Sequence, residues 1–115
     1  MLVDAGDKLL VAHRRLFERD APRYFVGEVL DYQDGVVKIT GYSFARDVST
    51  SQVFRKADRR TKLVPLTTTA YIVYQLPEEI EIDAVEFDWS GGGLSLTAGG
   101  RVVMNLSELP HAGEL

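Results

Sequence analysis

The chain contains no cysteine in 115 residues. Disulfides and thiolate metal sites are excluded, and with them any argument from redox compartment. Histidine is nearly as scarce: His13 and His111 stand far apart, with no His-x-x-x-His pair. No Gly-x-Ser-x-Gly nucleophile elbow occurs either. These absences predict no metal, no cofactor and no enzymatic activity. No apolar run approaches the roughly 20 residues of a membrane helix, so no membrane partner is expected. The opening stretch "MLVDAGDKLLVAH" lacks a basic start and carries Asp4 and Asp7, so it does not read as a secretion signal. The expected location is the cytoplasm.

What remains is a single domain over residues 1–115, 45% hydrophobic and 26% charged, large enough to fold on its own core. Its charge is uneven. The net formal charge is −4, yet residues 1–77 sum to +3 and residues 78–115 to −7. Such asymmetry marks either a polyanion-binding face or two faces of one fold that meet each other.

The dominant pattern has period two. "YFVGEVLDYQDGVVKITGYSF" predicts a hairpin over about residues 24–33 and 36–45, because Asp34-Gly35 supplies the positive φ of a tight turn. Residues 45–61 form a polar excursion, read as a long loop or an irregular hairpin around Val53 and Phe54. "KLVPL" predicts a strand at a sheet edge, since Pro65 lacks a backbone donor. "TAYIVYQL" predicts a strand ending at Pro77. In "IEIDAVEFDW" the alternation slips by one residue, which predicts a bulge or break near Asp83–Val85. Ahead of the slip, Glu79, Glu81 and Asp83 would share one solvated strand face. Beyond it, Phe87 and Trp89 would share a buried side, making Trp89→Ala cost roughly 3–5 kcal/mol. "SGGG" and "TAGG" precede strands, not helices, so they read as meander turns and not as phosphate cradles. "SELPH" looks like one closing helical turn. Over residues 8–17 the pattern fits either a helix face or a strand pairing with "RYFVGEV"; the turn chemistry of "RDAPR" favours the strand. The sum is an all-β fold, a small antiparallel barrel or two-sheet sandwich of seven to nine short strands with at most one short helix.

Two groups of residues bear on function. The first is basic: Arg14, Arg15, Arg19 and Arg23, then Arg55, Lys56, Arg59, Arg60 and Lys62. Arginine suits phosphate because its planar fork donates two parallel hydrogen bonds. The competing reading pairs these groups with Glu79, Glu81, Glu86 and Asp88. The second group is aromatic. Gly41-Tyr42-Ser43-Phe44 resembles the aromatic strand of RNA-recognition motifs, but Thr40, Ala45 and Asp47 depart from that pattern and the two helices of that fold are not predicted. On a strand, Lys38, Thr40, Tyr42, Phe44 and Arg46 share a face, which predicts either an aromatic nucleic-acid surface at Tyr42 and Phe44 or a core with basic ends. Residues 24–46 also resemble the small barrels of the Sm-like and SH3-like kind. The resemblance implies architecture only, because the Asn and Arg-Gly signatures of RNA-binding Sm-like proteins are missing. The expected function is a non-enzymatic binding or assembly module, a homodimeric β domain that pairs apolar patches or sheet edges, the latter near Pro65 or the N-terminal segment. The alternative is a weak, sequence-independent binder of nucleic acid or another polyanion.

Overall fold

A computed structural model describes residues 2–14, 23–47, 49–50, 52–90 and 93–106. Arg15, Arg19 and the helical turn expected at "SELPH" lie outside the described residues. The fold is all-β and sandwich-like; the described residues build two antiparallel sheets and no closed barrel. The strands are β1 (Lys8–His13), β2 (Arg23–Gln33), β3 (Val36–Arg46), β4 (Val53–Arg55), β5 (Arg60–Pro65), β6 (Tyr71–Leu76), β7 (Val85–Ser90), β8 (Gly93–Ala98) and β9 (Arg101–Asn105).

The hairpin β2–β3 forms as expected, for the reason expected. Asp34 and Gly35 take φ of 49° and 82°, the left-handed backbone that lets two twisted strands meet in a two-residue turn. The N-terminal segment is a strand over Lys8–His13, antiparallel to β2, with Leu9 opposite Gly27 and Val11 opposite Phe25. On its other side β1 pairs with β6. The outer edge of β3 is shared: β4 pairs with its last residues and β5 with its first. Pro65 ends β5 at that edge, where its missing N–H removes no ladder bond from a central strand. The second sheet is the meander β7–β8–β9.

Alternation along β1, β2 and β3 feeds two cores. Leu10, Ala12, Tyr24, Val26 and Phe44 point to the second sheet and pack with Ile80, Ile82, Val85, Leu94 and Leu96. Leu9, Val11, Phe25, Val37 and Ile39 point the other way and pack with Val64 of β5. A bulge between Val29 and Asp31 leaves Leu30 unpaired and 44% exposed. It reverses the parity of β2, so Tyr32 joins Val29 on the second core.

Two expectations are corrected. Residues 82–84 form a 3-10 turn, so Glu79, Glu81 and Asp83 do not share a strand face. The slip in alternation is real, but it is spent on turning the chain between the sheets. Trp89 is 47% exposed and not core. It follows the half-buried Phe87 on the inner side of β7, but it sits at the sandwich rim beneath the Arg46 guanidinium, 4.8 Å from the ring centroid. With half its surface still wet, Trp89→Ala should cost about 1–2 kcal/mol. Urea melts of wild type and variant check this, and native tryptophan emission should lie to the red of a buried indole.

Candidate functional site

The structure divides the second basic cluster between two places. Arg55 and Arg59 stack over the Tyr42 ring, at 4.5 Å and 5.5 Å from its centroid. All three converge on Asp83 in the 3-10 turn. The Tyr42 hydroxyl donates to Asp83 Oδ1 at 2.8 Å, Arg59 Nη1 reaches the same oxygen at 3.1 Å, and Arg55 Nη1 donates to the Asp83 carbonyl at 2.9 Å. Arg59 Nε adds a bond to Thr40 Oγ1 at 3.3 Å. This knot ties the chain around β4 and β5 to the link between the sheets. It answers part of the charge asymmetry: two arginines, Arg55 and Arg59, meet the acidic part of the chain through Asp83.

The aromatic surface expected at Tyr42 and Phe44 is not there. Phe44 is buried, with its ring 4.8 Å from that of Phe87. The parity that points it along the same face as Tyr42 also points it at the second sheet. Tyr42 is half-buried and carries two guanidinium groups on its ring, where a base would have to stack.

The other cations gather at the opposite side of the first sheet. Arg23, Phe25, His13 and Tyr71 share the face of the second core, since Phe25 lies opposite Val11 and His13 opposite Tyr71. Arg60 and Lys62 of β5 lie opposite Gly41 and Ile39, which puts them on that face as well. Gly27 and Gly41 face each other between Ile39 and Phe25 and carry no side chain. Over this gap Lys62 extends until its Nζ lies 4.8 Å from the Phe25 centroid. The His13 ring meets Tyr71 edge-on at 4.9 Å.

The electrostatics of this end are those of crowded cations. Partial burial, then Lys56, Arg60 and Arg23, hold Lys62 below the usual lysine range. Partial burial, then Arg23 and Lys62, hold His13 below the usual histidine range. Among the described residues the one carboxylate paired with the group is Asp58, 3.6 Å from Arg60 Nη2, and both side chains are mostly exposed. An exposed pair at that distance is worth well under about 1 kcal/mol. Arg14 is half-buried where β1 ends, and its N–H donates to the Ala70 carbonyl at 2.8 Å.

Sequence reasoning missed His13 and Tyr71. Nothing local joins them to Lys62; they arrive because β6 lies beside β1. Among the described residues no group of three or more acidic or histidine side chains is placed to hold a metal ion, and no helix is long and apolar enough to cross a membrane. Compared with protein families, curated proteins and solved structures, the chain shows no match.

Proposed function

We propose that the domain is a binding module whose basic end takes the phosphate backbone of single-stranded nucleic acid, weakly and without sequence preference. One observation carries this reading. Arg23, Lys56 and Arg60 lie around Lys62, whose Nζ sits over the Phe25 ring, and Arg23 and Lys62 lie near His13, so the charges that act on Lys62 and His13 are those of other cations. Like charges held together destabilise the free protein, and an anion seated among them relieves that repulsion. Phosphate is the suited anion, because Arg23 and Arg60 present forked donors from neighbouring parts of the sheet. Bases are not read, since the Tyr42 ring is occupied and Phe25 is buried; phosphate contacts position without specifying.

A fluorescently labelled oligothymidine titrated at low salt tests the proposal. Four phosphate contacts at a log–log slope of about −0.7 each give an overall salt slope near −3. Equal affinity for oligomers of different sequence is expected. Absence of binding at the lowest salt, or binding indifferent to salt, refutes the reading.

A further inference from the structure

Among the described residues, β6 (Tyr71–Leu76) is the sheet edge with neither charge nor proline. The other outer strands are marked by such residues. β5 carries Arg60, Lys62 and Pro65, β7 carries Glu86 and Asp88, and β9 begins with Arg101. Charge and proline are the usual means of keeping an exposed edge from pairing.

The direction of the β6 backbone groups follows from two hydrogen bonds. Val29 N–H donates to the Asp7 carbonyl at 2.7 Å, and Arg14 N–H donates to the Ala70 carbonyl at 2.8 Å. Bonded pairs alternate along an antiparallel ladder. Odd residues of β1 therefore bond to β2, and even residues bond to β6. Ala12 stands opposite Ile72, Leu10 opposite Tyr74 and Lys8 opposite Leu76. The N–H and C=O groups of Tyr71, Val73 and Gln75 are thus turned outward, and no strand among the described residues pairs with that side.

We propose that this edge pairs antiparallel with the β6 edge of a second copy, about a two-fold axis at Val73. Val73 then faces its counterpart, and Tyr71 faces the second copy's Gln75. The outward groups are spaced symmetrically about Val73, so this one register satisfies all of them in both copies at once. The occupant is a second copy because the edge is self-complementary in this way and places no like charges across the axis, in a chain of net charge −4. Tyr71, Ile72, Val73 and Tyr74 are all half-buried in the single chain, so the seam also covers apolar surface that the fold leaves wet. The dimer is independent of nucleic-acid binding.

Light scattering from about 1 to about 300 µM spans the affinities that one short seam supports. The wild-type mass should rise toward that of two chains. Gln75→Pro replaces an outward N–H and leaves the β1 ladder intact; it should stay at the mass of one chain with unchanged far-UV circular dichroism. Gln75→Lys, which tests the edge without proline, should do the same. Val102→Lys, on the most exposed apolar residue of β9, should associate like wild type. Amide exchange at Tyr71, Val73 and Gln75 should slow with rising concentration while that at Ile72 and Tyr74 does not change. A one-chain mass throughout overturns the proposal. So does a dimer that survives both Gln75 variants or is lost with Val102→Lys, and so does concentration-independent exchange at the three outward amides.

Discussion

Replacing Gly41 by alanine is expected to destabilise the domain by about 3 kcal/mol, the upper range for overpacking a tight interior. A Cβ at position 41 would lie 2.0 Å from the Val26 carbonyl oxygen and 2.5 Å from Gly27 Cα. At Gly27, directly opposite, it would lie 2.5 Å from the Thr40 carbonyl oxygen. These obstacles are backbone atoms of a paired strand, so no side chain can swing aside. Relief requires β2 and β3 to separate in the middle of their ladder, breaking hydrogen bonds under both cores. Alanine's smaller entropy in the unfolded chain returns only about 0.4–1 kcal/mol. Gly99→Ala is the comparison. Nothing lies within 4 Å of a Cβ there, and the cost is that of a left-handed backbone at φ 60°, about 1 kcal/mol. Urea melts should give a midpoint loss for Gly41→Ala well beyond that for Gly99→Ala at equal slope. A smaller loss at Gly41 than at Gly99 refutes the close approach.

The glycine pair also shows where the sequence stops being informative. "TGYSF" reads as a strand by itself, but that its glycine meets another glycine depends on the register that the Asp34-Gly35 turn sets. Where structure is decided by neighbours in the chain, the residues declare it. The hairpin turn, the Gly99-Gly100 turn and the break at residues 82–84 are all of this kind, because backbone φ and alternation are local properties. The pairing of β6 with β1 is not, since it joins residues some 60 positions apart through complementary burial alone. That pairing brings Tyr71 to His13 and creates the basic end. Trp89 departs from the burial its parity predicts for a related reason: alternation says which side a residue faces, but not how far the opposing sheet extends. The arginines divided as they did because Asp83 sits in a turn whose direction the strand pattern could not convey. Basic residues adjacent in sequence, Arg59 and Arg60, consequently serve opposite ends: one bonds Asp83, the other faces the cation group.

Neutralising the basic end while sparing the knot should separate binding from stability, with opposite signs. In the triple variant Arg23→Gln, Arg60→Gln, Lys62→Met, three of the four phosphate contacts are lost. At about 20 mM salt, affinity for single-stranded oligonucleotide should fall on the order of 10³-fold, and the salt slope should flatten from near −3 to about −0.7. The same variant should melt higher by about 2–4 °C. Burial together with Lys56, Arg60 and Arg23 makes the Lys62 charge less favourable in the folded chain than in the unfolded one. Removing it therefore favours folding, and methionine keeps an aliphatic cover over the Phe25 ring that Lys62 now shields. Arg59→Gln is the mirror case. It gives up the contact with Asp83 and the stacking on Tyr42, so it should melt lower, by under about 1 kcal/mol because the pair is exposed. Its oligonucleotide affinity should stay within about threefold of wild type, since it contributes none of the four phosphate contacts. A triple variant that still binds, or that melts lower than wild type, would show that the cations at His13 are held for the fold and not for an anion. Equal losses of binding in the triple variant and in Arg59→Gln would place the phosphate site at the Tyr42 knot instead.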